Sequence, residues 1–159
     1  MKFNSIMHIA FTTNKIDEMI DFYVNKLGGE LKVLVRFKAY LHSDDRPEMQ
    51  QMARTCPEGI FNAYIEISPG QFIELFPEFP QQKEHVGFNE HLGYSHFALL
   101  TEDIQKTYQY FSDAGIPTLT NISKGPSGTW QFWAQDPDGN RFEIMQYTEA
   151  SFQVTGHID

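Results

Sequence analysis

Apolar and polar positions along the chain predict two helices, each set among short strands. In residues 14–29, six apolar residues recur three or four positions apart and so share one face of a helix: Ile16, Met19, Ile20, Tyr23, Val24 and Leu27. Asn14 is a candidate N-cap with Asp17 three residues on, and Gly28 and Gly29 end the helix. Residues 101–115 repeat the pattern, with one face formed by Ile104, Thr107, Tyr108 and Phe111.

Strands are predicted in the same order around both helices. In the first half they cover residues 5–11 and 30–41, followed by 60–68 and 71–77 around a Ser-Pro-Gly turn that indicates a hairpin. In the second half they cover residues 93–100, 129–135 and 140–146, the last two around an Asp-Pro-Asp-Gly turn. The polar segment 42–55 is predicted to be a short helix or a lid-like insertion.

The two halves are related as an internal repeat. A shift of 88 residues places His8 on His96, and a shift of 69 places Glu74 on Glu143. The first half is therefore 19 residues longer, and this extra length falls within 38–59. We predict a first βαβββ module in 1–88 with an insertion at about 38–59, a second module in 89–150, and a tail in 151–159.

Each half places a histidine on its first strand and a glutamate on its last. Glu143 lies within a strand between Phe142 and Ile144, where an unpaired buried carboxylate would be costly. A cation that met both carboxylates would offset this cost, and two imidazoles with two carboxylates form a mixed nitrogen and oxygen set for a divalent ion. We therefore predict one metal site, formed when the two modules pair, with the ligands His8, Glu74, His96 and Glu143.

Composition and charge exclude several classes of partner. Lys and Arg number 12 and Asp and Glu 21, so the net charge of −9 disfavours binding to nucleic acid or to anionic membranes. No apolar run approaches the ~20 residues of a membrane span. The one cysteine, Cys56, cannot form an intrachain disulfide, and the first residues do not resemble a signal peptide. The expectation is a cytoplasmic protein with a small-molecule substrate.

The chain resembles the vicinal oxygen chelate superfamily, which contains glyoxalases, bleomycin-resistance proteins and extradiol dioxygenases. The similarity covers the chain from "MHIAF" to "FEIMQ" and is most specific in "SHFAL" and "DPDGNRFEIMQ". It implies an α+β fold with two paired βαβββ modules that form a curled mixed sheet around a metal cleft. It also implies a homodimer and a divalent cofactor, for which Ni, Zn, Co, Mn and Fe all suit the ligands.

Within this superfamily, the four predicted ligands match the pattern of glyoxalase I, the lactoylglutathione lyases. The resemblance implies a metal that holds the two oxygens of a hemithioacetal, and a carboxylate that moves a proton between adjacent carbons. Glu143 is the candidate base and Glu74 its symmetric partner.

Substrate contacts are predicted at Lys124, Phe72 and Trp130. Glyoxalase I generally carries Arg and Asn at the positions of Thr12 and Glu78, which puts glutathione itself in doubt and leaves a different thiol adduct open. Two other functions stay open. One is an extradiol-type dioxygenase that uses His8, His96 and Glu143. The other is an antibiotic-binding resistance protein with an aromatic groove formed by Phe72, Phe76, Trp130 and Trp133. The remaining histidines have no predicted role in metal binding: His42, His85, His91 and His157.

Overall fold

The computed structural model describes residues 4–83 and 86–158. The chain divides into two compact units, Met1–Lys83 and Glu84–Asp159. Each unit contains four strands and a helix that crosses between the first strand and the rest. The α+β fold class and the two βαβββ modules are confirmed.

The first unit contains β1 (His8–Thr13), α1 (Ile16–Asp21), β2 (Glu30–Arg36), α2 (Pro47–Thr55), β3 (Ile60–Ser68) and β4 (Gln71–Pro77). A π-helical segment, Phe22–Lys26, continues α1, and a 3-10 helix, Phe37–Tyr40, follows β2. The second unit contains β5 (Phe97–Leu100), α3 (Ile104–Asp113), β6 (Ser123–Lys124), β7 (Trp130–Gln135), β8 (Arg141–Gln146) and α4 (Phe152–Thr155).

Hydrogen bonds join the strands into two open sheets, one in each unit, and neither sheet closes within the described residues. The strand orders are β1-β4-β3-β2 and β5-β8-β7-β6. In each sheet the first strand lies at an edge and pairs in parallel with the last strand of its module, while the other pairs are antiparallel. This arrangement places β1, which begins with His8, directly beside β4 with Glu74. In the second unit the predicted strand 93–100 is shorter, so His96 lies one residue before β5, which runs beside β8 with Glu143.

Each sheet has one face covered by its helix and one face that carries the predicted ligands. In the first unit, side chains from alternate positions of β3 and β4 are fully buried with those of the helix: Ala63, Ile65, Ile73, Leu75, Met19 and Tyr23. In the second unit, the equivalent core is formed by Ile104, Phe111, Phe132, Ala134, Phe142 and Ile144. Alternation then directs Glu74 and Glu143 to the opposite face of each sheet.

Several predicted boundaries are wrong by a few residues. The first helix begins after Lys15, not Asn14, and no side chain caps it; instead, the Thr13 hydroxyl accepts a hydrogen bond from the Lys15 amide. The predicted strand 30–41 ends at Arg36, because the chain turns there into the 3-10 helix. Strand β6 and helix α4 were not predicted, since both are too short to show periodicity.

The segments predicted as an insertion and a tail both carry helices. Helix α2 lies within residues 38–59 and buries Ala53 completely. Helix α4 lies within the predicted tail, and Ser151 before it is fully buried and accepts a hydrogen bond from the Thr129 hydroxyl. Among the described residues, the helices are all too short or too polar to cross a lipid bilayer.

The turn that starts β8 is held by a buried carboxylate, and its loss should destabilise the second unit. Asp136 is 3% exposed and accepts hydrogen bonds from the backbone amides of Asp138 and Asn140 and from the Asn140 side chain. We expect Asp136→Ala to lower the free energy of unfolding by about 3 kcal/mol, because it leaves buried donors without an acceptor. Asp136→Asn, which keeps one acceptor oxygen, should lose less, as measured by urea denaturation.

The exposed Glu102→Ala serves as the control for this series and should unfold as the wild-type protein does. An Asp136→Ala protein as stable as the control would contradict the role of this turn.

Candidate metal centre

In the first unit, His8 and Glu74 form a close pair on the face opposite the helix. Strands β1 and β4 are parallel neighbours with His8 beside Phe72 and Ala10 beside Glu74. The His8 Nε2 and Glu74 Oε2 atoms are 3.4 Å apart. The imidazole is 39% exposed and the carboxylate 6%, so the pair has a buried acidic end and an accessible basic end.

Two further polar side chains from β3 hold the Glu74 carboxylate. The Asn62 amide donates to Glu74 Oε1 at 3.1 Å, and the Tyr64 hydroxyl also donates to this carboxylate. The hydrogen bond to Glu74 raises the pKa of Tyr64 to about 12, with smaller contributions from burial and from the negative charge of Glu74. Tyr64 therefore stays protonated and keeps donating at neutral pH.

In the second unit, His96 and Glu143 form the equivalent pair. Their Nε2 and Oε2 atoms are 3.5 Å apart, with the imidazole 32% and the carboxylate 13% exposed. Trp133 lies across from Glu143 on β7, and its ring centroid is 4.6 Å from that of His96. Apart from His96, no described residue makes a hydrogen bond or an ion pair with Glu143, so this carboxylate is held less firmly than Glu74.

A hydrogen-bond chain sets the tautomer of His96. The Ser95 hydroxyl donates to Asn89 Oδ1 and lies 3.0 Å from His96 Nδ1. Because the hydroxyl has a single proton and gives it to Asn89, it accepts from Nδ1–H of His96. The lone pair of His96 is then on Nε2, the atom that faces Glu143, as metal ligation requires.

The two histidines differ in this respect. His8 Nδ1 lies 2.9 Å from the Met7 sulfur, which is a weak acceptor, and its ring meets the edge of Tyr64 at 5.8 Å. The repeat therefore preserves the histidine–glutamate pair but not its hydrogen-bond partners. In the first unit, side chains of β3 hold the carboxylate, whereas in the second unit Asn89 and Ser95 hold the imidazole.

The donor atoms of each pair suit a divalent ion. Two ligands that each bind one ion at roughly 2.1 Å lie about 3 to 3.5 Å from each other, which is the separation in both pairs. Each pair supplies two donors, and in the described part of the chain no three histidine, cysteine, aspartate or glutamate side chains form a metal-binding group. Each unit thus supplies half of the predicted set.

The predicted substrate contacts lie on different faces. Phe72 is beside His8 and meets the ring of Tyr64 edge-on at 6.0 Å, so it belongs to the ligand-bearing face. Trp130 pairs with Gln146, whose side chain accepts from the backbone amide at the start of α3, so Trp130 belongs to the helix side of its sheet. Lys124 lies over the Trp130 ring at 5.6 Å. Substrate binding by Phe72, Lys124 and Trp130 stays a prediction.

The sequence reasoning missed Asn62, Tyr64, Asn89 and Ser95. Tyr64 could have been found, because the predicted hairpin places it directly across from Glu74 and the shift of 69 residues places it on Trp133. Asn89 and Ser95 lie outside any strand, where neither alternation nor the repeat applies. Among the other histidines, His85 lies outside the described residues.

Comparison with known proteins agrees with this architecture. The model of the Glyoxalase/Bleomycin resistance protein/Dioxygenase superfamily matches residues 5–144. Lactoylglutathione lyase of Oryza sativa subsp. japonica is 27% identical over 147 residues, and lactoylglutathione lyase GLX1 of Arabidopsis thaliana is 24% identical over 148. These matches cover 89% and 88% of this chain but only 43% of each relative, so the chain spans less than half of their length.

A bacterial relative matches over its whole length. The probable lactoylglutathione lyase of Vibrio parahaemolyticus is 24% identical, and the match covers 95% of this chain and 96% of that protein. Among solved structures, a glyoxalase family protein from Enterococcus faecalis shares the fold with a TM-score of 0.67 and 24% identity, over 90% of this chain and 98% of that one.

The Tyr64–Glu74 hydrogen bond should be visible in alkaline titration of the metal-free protein. We expect Tyr64 to ionise near pH 12, later than an ordinary tyrosine with a pKa of 10.0. Because burial and the negative charge of Asp136 also raise the pKa of Tyr94 to about 12, Tyr64→Phe should reduce the late step of the ultraviolet titration curve by one tyrosine and leave that of Tyr94. Because the folded pKa is raised, the stabilisation is complete below pH 10 and is lost as the pH rises towards 12.

Glu74→Gln is the matched variant, since it removes the charge and weakens the acceptor, and it should shift the Tyr64 ionisation to lower pH. A titration curve that is unchanged in Tyr64→Phe would contradict the assignment.

Proposed function

Because the chain belongs to the Glyoxalase/Bleomycin resistance protein/Dioxygenase superfamily, we propose that it is a metal-dependent lyase or isomerase of glyoxalase type. Members of this superfamily commonly use divalent metals and bind small molecules. The proposed substrate carries two neighbouring oxygens, as does the adduct of a thiol with a ketoaldehyde. The proposed ligands are His8, Glu74, His96 and Glu143.

One observation carries this proposal: the same pair of donor atoms occurs twice, at 3.4 and 3.5 Å, at equivalent places of a repeated module. In both pairs, Nε2 of the imidazole faces Oε2 of the carboxylate. A chain that conserved only the fold would need neither carboxylate on a largely apolar strand, since an uncompensated buried acid destabilises the folded state. The repetition of both members supports a shared ion.

The roles of the two carboxylates follow from their surroundings. When bound, the divalent ion polarises the two substrate oxygens and stabilises the negative charge that develops on them. Glu74 is held by Asn62 and Tyr64 and therefore acts as a fixed ligand. Glu143 lacks such donors and can turn, so it takes the proton from one substrate carbon and returns it to the neighbouring carbon. No oxidant or reductant is consumed.

The four ligands meet only if the ligand-bearing faces of two modules pair, within one chain or between two copies of a homodimer. Mixing two inactive variants distinguishes these arrangements. If pairing occurs between chains, a dimer of Glu74→Gln with Glu143→Gln contains one intact site and regains activity. If pairing occurs within a chain, every site in the mixture carries one substitution and activity stays lost.

The glyoxalase-type reaction is favoured over the two alternatives by specific contacts. An extradiol-type dioxygenase would use His8, His96 and Glu143 and leave Glu74 aside, yet Glu74 Oε2 faces its histidine as Glu143 does. An antibiotic-binding groove would need Trp130 and Trp133 on one surface, and strand alternation separates them. The exposed Thr12 and Glu78 make glutathione a poor match.

The proposal predicts that Glu143→Gln abolishes turnover while the protein stays folded. General acid–base catalysis contributes roughly 100- to 10,000-fold, so we expect at least a 100-fold loss of kcat with a panel of thiol–ketoaldehyde adducts. Elemental analysis of the natively purified wild-type protein should find a stoichiometric divalent metal among Ni, Zn, Co, Mn and Fe.

Glu66→Gln is the control for this prediction. Glu66 lies on β3 of the first sheet and pairs with Lys32, outside both histidine–glutamate pairs, so its replacement should leave kcat unchanged. Wild-type protein without metal, or a fully active Glu143→Gln protein, would refute the proposed function.

A further inference from the structure

The second unit contains a cavity of about 170 Å³ that no part of the proposed mechanism uses. Its wall is formed by the segment 86–95 and by the turn that starts β8. The described polar side chains that line it come from Asn89, His91, Tyr94, Ser95, Asn140 and Arg141. The sequence alone gave neither His91 nor Arg141 a role.

The described wall of the cavity carries a cation and no acid, although the protein is acidic. Among residues 86–95 and 139–141, those that line the cavity include no acid, whereas the whole chain has 21 acidic residues and a net charge of −9. The negative charge of Asp136 behind the wall contributes to the raised pKa of Tyr94. Arg141 is the permanent cation of the wall, since a guanidinium does not lose its proton in a protein. In the part of the chain that the structure describes, no carboxylate lies within ion-pair distance of Arg141.

The nearby acids are occupied or lie outside the wall. Asp136 accepts three hydrogen bonds within its own turn. The Glu90 side chain packs close to Gly87 but does not line the cavity. The Arg141 guanidinium instead lies 4.4 Å from the centre of the Phe88 ring, a contact that fixes the orientation of its plane and leaves its N–H groups to find other acceptors.

The cavity adjoins the His96–Glu143 pair. Arg141 and Glu143 are two residues apart on β8, so they share a face with about 7 Å between their backbone positions. Phe88 contacts both the Trp133 ring at 5.6 Å and the His96 ring at 6.4 Å. Ser95 also belongs to the wall and is the residue that orients His96.

We propose that Arg141, with its plane set by Phe88, binds an anionic oxygen-acid group, either a carboxylate or a phosphate, on a ligand whose other end reaches His96 and Glu143. The guanidinium fork matches both groups through two parallel hydrogen bonds. That this ligand is the substrate rests on the proposed function, but anion binding in the cavity does not.

The size of the cavity limits the ligand. A volume of about 170 Å³ is well below the pocket of a drug-sized molecule. A short acid therefore fits the cavity.

The first experiment measures anion binding without turnover. In a Trp130→Phe background, Trp133 is the single indole, and its fluorescence is titrated with inorganic phosphate and with acetate. We expect saturable binding of at least one anion, and about tenfold or weaker binding in Arg141→Gln, because a hydrogen-bonded charge is lost. Arg141→Lys, which keeps the charge but not the fork, should lie between the two.

Arg36→Gln is the matched control, because Arg36 lies in the first unit beside Glu58 and should not affect the titration. The anion that binds more tightly identifies the anionic group of the ligand as a carboxylate or a phosphate. No saturable binding of either anion, or equal binding by the wild-type and Arg141→Gln proteins, would overturn the proposal.

The second experiment compares substrates that differ in charge. Adducts of one ketoaldehyde with mercaptoacetate and with the neutral mercaptoethanol are assayed with the wild-type and Arg141→Gln proteins. We expect the substitution to raise KM about tenfold for the anionic adduct and to leave the neutral one unchanged. If neither adduct reacts, the proposed function fails, while the fluorescence titration still tests anion binding in the cavity. If the substitution changes KM equally for both adducts, only the proposal that Arg141 binds the anionic group of the substrate is refuted.

Discussion

The cost of placing a carboxylate on a largely apolar strand face shapes both halves of this protein. Glu74 and Glu143 are surrounded by strands whose opposite faces form the core, and water reaches only a small part of either side chain. An acid in such a place needs donors or a cation, because it loses most of its hydration on folding. The imidazole of His8 on the neighbouring parallel strand, and that of His96 just before its equivalent, are the first groups to meet this need.

The two halves meet the same constraint in different ways, and the difference is chemically useful. Asn62 and Tyr64 immobilise one carboxylate, while Asn89 and Ser95 immobilise one imidazole. A duplicated module that stayed symmetric would have two equivalent acids and no reason to move a proton with one rather than the other. Under the proposed function, this divergence gives Glu74 a static role and Glu143 a mobile one.

Much of this architecture could be predicted from the sequence, because strand alternation and the internal repeat both appear as regular spacings between residues. The repeat placed a histidine near the start and a glutamate on the last strand of each half, and the structure shows β1 and β4 as parallel neighbours, with Ala10 beside Glu74. Other features could not be predicted. The Thr13 hydroxyl replaces Asn14 at the start of α1, and Ser95 and Arg141 acquire their surroundings from the irregular segment 86–95, which has no periodicity to analyse.

His8 begins the strand at the outer edge of its sheet and His96 directly precedes the equivalent edge strand, whereas both glutamates belong to the strand next to the edge. An edge strand is tied down by a single ladder, so it can detach while the interior hairpin stays intact. The imidazole and the carboxylate of each pair are therefore joined by the least cooperative ladder of the module. An ion bound between them would cross-link the edge strand to its neighbour. The thermal stability of each edge strand would then depend on the affinity for the ion.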